Sequence, residues 1–332
     1  MKIVIPMAGL GTRLRPQTWS RPKQLVSIAG KAIIEHVLDT FSTLSPSFDI
    51  EYIFIVGYLS EKIKSFMKTR HPELNIHYAT QLEMRGQSHA IHLAKEHLTG
   101  PMLMVFADTL IETDLSFLEK ETADIIGWVK PVQDPRRFGV AKIGEKGWVT
   151  RLIEKPMDIQ NNLAVVGFYY FKKSEELIDA IEEQMKRNTR LKGEYFLADA
   201  INIMIERGAK MRTHRVDVWL DAGTPDAVLE TNRFLLEHGY NNAKVSTNQT
   251  NTVIIPPVFI HPTATIKHAI IGPHVSIGAE CVVEASIIQN TILEDRCRIS
   301  HVNIENSLIG QNAEVQGKFK AINIGDDTKI LT

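Results

Sequence analysis

A short stretch near the start of the chain has the residue types needed to hold an anion. The strand-like run Lys2-Ile3-Val4-Ile5-Pro6 gives way to Ala8-Gly9-Leu10-Gly11-Thr12-Arg13. Glycines just past a strand let the backbone approach a ligand and offer its N–H groups to phosphate oxygens. Arg15 and Arg21-Pro22-Lys23 follow, and Lys23 is close enough in sequence to fold back over the same phosphates. Between Met1 and Ile34 there is no Asp or Glu, while Lys2, Arg13, Arg15, Arg21, Lys23 and Lys31 are all cationic. On a chain of formal net charge −1, such a segment concentrates positive potential in one place. Two common phosphate motifs are excluded. There is no G-x-x-x-x-G-K-[ST], and Leu14 stands where a G-x-G-x-x-G fingerprint needs its third glycine.

Other polar residues stand at points where strand-like runs end. Asp108 follows the apolar run Pro101–Phe106. Asp221 precedes Gly223 in Trp219-Leu220-Asp221-Ala222-Gly223-Thr224. Glu154-Lys155-Pro156 is a charged turn, and Gln81 lies five residues before Gly86. Singly, each serves equally well as a turn residue or a surface charge. Their order along the chain carries more. Ala8 through Pro16 with Arg21-Pro22-Lys23 resembles the signature of the sugar-1-phosphate nucleotidyltransferases, which include the glucose-1-phosphate thymidylyltransferases and uridylyltransferases. The resemblance covers nearly the whole chain. Gln81 with Gly86 resembles the family's base-reading segment, and Asp108 its metal ligand. Phe138-Gly139-Val140, Glu154-Lys155-Pro156 and Val166-Gly167 resemble its sugar pocket, and the stretch around Asp221 resembles its second metal motif.

The resemblance implies a reaction in which a sugar 1-phosphate oxygen attacks the α-phosphorus of a nucleoside triphosphate and pyrophosphate departs. Both reactants are anions, so catalysis is mainly positioning and charge neutralisation. By this likeness Ala8, Gly9, Leu10, Gly11, Thr12 and Arg13 cradle the triphosphate, with Arg13 on its β- and γ-phosphates. Lys23 holds the α-phosphate, and Gln81 and Gly86 receive the base. Gly139, Glu154, Lys155, Val166, Gly167 and Lys192 line the sugar-phosphate side. Asp108 and Asp221 share one Mg²⁺, a hard cation that prefers oxygen ligands. Lys192-Gly193-Glu194 stands where relatives often have Arg-Gly-Glu. Lysine there keeps its attraction for phosphate and loses the bidentate fork.

The loop has Ala-Gly-Leu-Gly-Thr-Arg, one residue shorter than the thymidylyltransferase pattern Ala-Gly-Gly-x-Gly-Thr-Arg and more like uridylyltransferases. The stretch from Leu14 to Lys31 resembles thymidylyl- or mannose-type enzymes instead. The expected substrates are UTP or dTTP with glucose 1-phosphate. Mannose 1-phosphate with GTP and N-acetylglucosamine 1-phosphate with UTP remain alternatives. A catalytically silent sugar-nucleotide-binding homologue is the competing class, and intact Arg13, Lys23, Asp108 and Asp221 argue against it.

The elements that must position these residues follow two grammars. Up to about residue 236, strand-like runs (Lys2–Pro6, Tyr52–Val56, Asn75–Ala79, Pro101–Phe106) alternate with helical ones (Lys31–Ser42, Ser60–Arg70 with Ser60 as N-cap, Ser88–Glu96). This rhythm predicts an α/β domain with a Rossmann-like, mainly parallel mixed sheet, of the nucleotide-diphospho-sugar transferase type by resemblance. Gly139–Ile143, Trp148–Ile153 and Ala164–Phe171 read as a meander, and Ser174–Arg187 and Phe196–Glu206 as helices. Residues 237–251 are polar and read as a linker. From 252 to 332 aliphatic residues recur every five or six positions: Ile260, Ile266, Ile271, Ile277, Val283, Ile288, Leu293, Ile299, Ile304, Ile309 and Val315. Neither a helix nor a lone strand has that period, which predicts a left-handed parallel β-helix of hexapeptide repeats. His261, His268, His274 and His301 then fall at solvated turns. An acyltransferase histidine among them is the sharper alternative.

Bulk properties narrow the class. The near-neutral charge argues against general nucleic-acid binding. Cys281 and Cys297 are the chain's two cysteines, so no disulfide framework is implied and a reducing cytoplasm is expected. No apolar run reaches the ~18 residues of a membrane span, and the opening strand does not read as a signal segment. The β-helix, with faces and an end to cover, points to a homo-oligomer: dimer, trimer or tetramer.

Overall fold

The computed structural model describes residues 1–243 and 248–318. The chain forms two compact units. The first comprises Met1–Val26 and Lys31–Ala227, and the second Ser27–Gly30 with the chain from Val228 on.

The first unit is built on a nine-stranded mixed sheet. Strands β1 (Lys2–Pro6), β2 (Glu51–Val56), β3 (Ile76–Thr80) and β4 (Met102–Val105) form its parallel half, in the order β4-β1-β2-β3. Ile3, Val4, Ile5, Ile53, Phe54 and Ile55 are fully buried. Burial on both faces explains why these strands read as continuous apolar runs rather than alternating ones. Two helices fall where the apolar spacing predicts: α1 (Ile33–Asp39) and α2 (Ser60–Arg70). Ser60 is the first helical residue rather than the N-cap. Leu59 stands at that place with φ 59°, and Ser60 donates its N–H to the Gly57 carbonyl at 3.1 Å. The third helix, α3, is short (Gln87–Leu93), with a 3₁₀ turn at Lys95–His97.

After β4 come β5 (Thr109–Ile111), β6 (Ile125–Pro131), β7 (Gly139–Ile143), β8 (Val149–Glu154) and β9 (Leu163–Phe171). The expected meander of β7, β8 and β9 belongs to the main sheet: β9 runs antiparallel to β4 and also to β7 and β6. Helices α4 (Ser174–Lys186) and α5 (Leu197–Glu206) follow, then β10 (Met211–Arg215), which adds parallel to β6. A separate two-stranded ribbon pairs β5 with β11 (Trp219–Asp221).

The second unit is a parallel β-helix. Its inward residues stack in columns: Ile260–Ile277–Leu293–Ile309, Ile266–Val283–Ile299–Val315 and Ile271–Ile288–Ile304. Partners lie 17 residues apart in the early coils and 16 apart from Ile277 on. One coil is therefore three sides of five or six residues, which is the aliphatic period of the sequence. The corners carry left-handed residues, also in columns: His268, Ala285 and His301; His274, Asn290 and Asn306; Glu280, Arg296 and Asn312. Side chains bond along these corners, Asn290 Nδ2 to Asn306 Oδ1 at 2.6 Å and Arg296 Nε to Asn312 Oδ1 at 2.8 Å. Cys281 and Cys297 are buried free thiols.

Candidate active site

In the first unit the chain leaves β1 toward β2 on one side and reaches β4 on the other. Such a reversal of strand order opens a crevice beyond the carboxyl ends of the strands, where α/β proteins bind ligands. The loops after β1 and β4 both line a cleft of about 890 Å³ here. It gathers Ala8, Gly9, Gly11, Thr12, Arg13 and Lys23 from the first loop, and Gln81 and Gly86 beyond β3. Asp108, Gly139, Glu154, Lys155, Val166, Gly167 and Asp221 complete it. Leu10 is exposed outside the lining, and so is Lys192, which sits in a turn with φ 52°.

Gly11 is left-handed (φ 62°) and begins the 3₁₀ turn Thr12–Leu14. A Cβ there would fall 3.1 Å from Thr18 Cγ2 and 3.3 Å from Lys23 Cβ. Thr18 donates its hydroxyl to the Gly11 carbonyl at 2.7 Å. The loop is thus folded against the segment that carries Lys23, as their closeness in sequence suggests. Lys23 lies in a second 3₁₀ turn, Lys23–Leu25, and its Nζ is ion-paired with Asp108 Oδ2. Gln24, buried beside it, donates to the Met7 carbonyl at 3.2 Å.

Two acids more than a hundred residues apart meet through backbone pairing. Asp221 is the register partner of Thr109 on the β5–β11 ribbon, and the Ala222 N–H donates to the Asp108 carbonyl at 3.2 Å. Desolvation in the cleft raises the Asp221 pKa above the ordinary aspartate range, and the negative charge of Asp108 raises it further. Lys23, the Gly223 N–H (2.8 Å to Asp221 Oδ1) and Arg13 pull the other way. Two facing carboxylates with residual mutual repulsion suit a hard divalent cation that takes its remaining ligands from water and phosphate. Among the described residues no group of three or more His, Cys, Asp or Glu is placed to enclose a metal.

On the other wall, Glu154 ends β8 opposite Gly139, and a Cβ on Gly139 would lie 3.1 Å from Glu154 Oε2. Burial raises the Glu154 pKa, and Lys155, 3.8 Å away, offsets part of the rise. Lys155 turns with φ 49° and holds its Nζ 5.0 Å from the Phe196 ring centre. The register of β9 against β6 shifts between Val165 and Tyr169, and this bulge presents Val166 and Gly167 to the cleft. Gly167 (φ 80°) leaves no room for a side chain, because a Cβ would fall 2.3 Å from the Phe106 ring. The sequence motifs did not single out Arg137 or Tyr169, which also line the cleft. Arg137 adjoins Phe138-Gly139, and that adjacency is the one signal for it. Tyr169 reads as an ordinary strand aromatic.

Residues 2–238 match the family described as nucleotidyl transferase, and 254–330 match the GMPPB C-terminal domain. The chain belongs to the nucleotidyl transferase family. It is 31% identical to the bifunctional protein GlmU of Methanocaldococcus jannaschii, over 99% of this chain and 82% of that one. It is 29% identical to the glucose-1-phosphate thymidylyltransferase of Streptomyces antibioticus, over 99% of both chains. It is 31% identical to the UTP–glucose-1-phosphate uridylyltransferase AglF of Haloferax volcanii, over 68% of this chain and 93% of that one. A Bacillus anthracis crystal structure described as a glucose-1-phosphate thymidylyltransferase with sucrose shares the fold. Its TM-score is 0.60 at 22% identity, covering 70% of this chain and 94% of that one. This nucleotidyl transferase is an enzyme of nucleotidyl transfer, a class that generally works with a divalent metal. None of the helices among its described residues is long and apolar enough to cross a membrane.

Proposed function

We propose that the protein condenses a nucleoside triphosphate with a sugar 1-phosphate, releasing pyrophosphate, and that its substrates are UTP or dTTP and glucose 1-phosphate. The carrying observation is that one cleft holds a glycine loop with Arg13 and Lys23, a carboxylate pair, and Lys155 on the opposite wall. Arg13 neutralises the β- and γ-phosphates. Lys23 binds the α-phosphate, where charge grows as the transition state forms. Lys155 and the half-buried Glu154 hold the second substrate, Lys155 by its phosphate and Glu154 by sugar hydroxyls. The attacking phosphate oxygen is already ionised, so no side-chain base is required.

Asp108 and Asp221 would hold Mg²⁺, which supplies Lewis-acid stabilisation of the phosphate charge. Lys23 now neutralises Asp108. With a cation held by the two carboxylates, Lys23 would be available to the substrate phosphate.

Gln81 suits a base whose ring edge carries an N–H, as uracil and thymine do. Its Nε2 donates to the Gly86 carbonyl at 3.3 Å and faces His89 Nδ1 at 3.2 Å. The Gly86 oxygen can only accept, which fixes the amide's orientation and leaves Oε1 for a donor such as the N3–H of uracil or thymine. Three further parts belong to the proposal: a cytoplasmic setting, in keeping with two buried free thiols; a homo-oligomer; and no nucleic-acid or membrane partner.

The test is a matrix of nucleoside triphosphates against sugar 1-phosphates with Mg²⁺, read as pyrophosphate release and repeated in EDTA. Release with a uridine or thymidine triphosphate and glucose 1-phosphate, abolished by EDTA, is expected. Nucleotide binding without release from any pair would identify a silent homologue instead.

A further inference from the structure

The second unit contains a four-residue piece of early sequence, Ser27–Gly30, held by groups from the chain beyond Val228. Glu294 Oε1 accepts the Ser27 N–H at 2.8 Å, and Oε2 accepts the Ser27 hydroxyl at 3.0 Å. Asn232 Oδ1 accepts the Ala29 N–H at 2.9 Å and the Ser276 hydroxyl at 2.6 Å, while its Nδ2 donates to the His274 carbonyl at 3.2 Å. Gly30, at φ 86°, lies flat on Phe259, where a Cβ would be 2.3 Å from the ring. Glu294 is 4% exposed and Asn232 is fully buried.

The β-helix itself does not call for an acid at 294. Leu293 is in register with Ile277 and Ile309, so the next residues on the neighbouring coils are Gly278 and Gly310. Glycine suffices at that step of the coil. A carboxylate out of water is costly unless its oxygens receive donors, and Ser27 donates to both oxygens of Glu294.

Ser27 is the fourth residue after Lys23. Between them stands one 3₁₀ turn, closed by Leu25 N–H to the Pro22 carbonyl (3.0 Å) and Val26 N–H to the Lys23 carbonyl (3.1 Å). So short a turn is weakly held by itself, since i→i+3 bonds have poor geometry. Fixing the residue at its far end limits the backbone angles available to it. We infer that Glu294 is a positioning residue for Lys23: the β-helix, by gripping Ser27, sets the placement of the cation that meets the α-phosphate. The inference rests on the role proposed above for Lys23.

The test uses the full chain with Glu294→Ala, Glu294→Gln and Ser27→Ala. Hydrogen exchange at the Val26 and Ser27 amides should speed at least ~10-fold in Glu294→Ala, while amides between Ile260 and Ile309 stay within about twofold of the parent. The kcat for pyrophosphate release should fall about tenfold, with KM for the triphosphate within about twofold, because the loss falls on an interaction strengthened in the transition state. Glutamine keeps an acceptor for the Ser27 N–H and should restore kcat to within about threefold. If Glu294→Ala does not fold, Ser27→Ala decides, with an expected kcat loss of about threefold. Unchanged exchange at Val26 and Ser27 overturns the inference. Faster exchange with unchanged kcat overturns it too, as does an equal loss of protection throughout the β-helix. A Lys23→Ala enzyme of full activity would instead defeat the reading of Lys23, leaving the exchange result to stand alone.

Discussion

Asp108 and Asp221 owe their meeting to backbone hydrogen bonds between β5 and β11, not to packing of their side chains. The sequence named both acids by likeness to a family, yet no periodicity revealed the ribbon. Strands of three residues are too short to show alternation. Asp108→Asn keeps the shape and removes the charge. Pyrophosphate release should fall on the order of 100-fold, the scale of one lost electrostatic contact in a transition state. An unchanged rate would overturn the metal-holding role proposed for Asp108. Glu154 offers a prediction on stability. Burial raises its pKa in the fold, so between the ordinary carboxylate value and the raised one the native state binds more proton than the unfolded chain. Its ionised form therefore costs stability as pH rises through that interval. Glu154→Gln should melt at a higher temperature than the parent at pH 7, and the gain should shrink toward zero near pH 4. A constant difference across that range would contradict the burial argument.

At the level of elements, strands and helices with strong apolar patterns were legible to within a few residues, while the reasons for particular glycines were not. Gly86 reads as a glycine that lets a base approach the backbone. The structure adds a second constraint: at φ 101°, a Cβ would stand 2.5 Å from the backbone N and O of Tyr195. Tyr195 and Arg85 share a backbone bond of 2.9 Å, and Ser88 donates to the Tyr195 carbonyl at 3.1 Å. Contacts between segments a hundred residues apart leave no local trace in sequence. Gly86→Ala should lower stability by about 1–3 kcal/mol, the cost of a glycine-only backbone conformation. Gly9→Ala, with no neighbour within 4 Å of its added Cβ, should melt close to the parent. Thermal unfolding of the two variants side by side makes the comparison.

On the scale of the whole molecule, the β-helix was the most legible part, because each coil repeats the same burial requirement and the spacing adds up over many steps. The grip of Glu294 on Ser27 had no such signal. It joins residues 267 positions apart through one polar side chain. Ile288 is fully buried in the middle of an aliphatic column, between Ile271 and Ile304. Ile288→Ala should cost about 2–5 kcal/mol, read as a shift in urea or thermal unfolding. A loss under about 1 kcal/mol would mean that the coils close over the gap. The same grip sets an order of events during synthesis. A ribosome adds roughly 5–20 residues per second, so Ser27–Gly30 waits on the order of 13–50 s for its carboxylate to emerge. Until then the growing chain carries its glycine loop and Lys23 without the anchor, and without Asp221 for most of that time. A chain that has passed Asp221 but not yet Glu294 is then expected to turn over triphosphate about tenfold more slowly than one that carries the anchor.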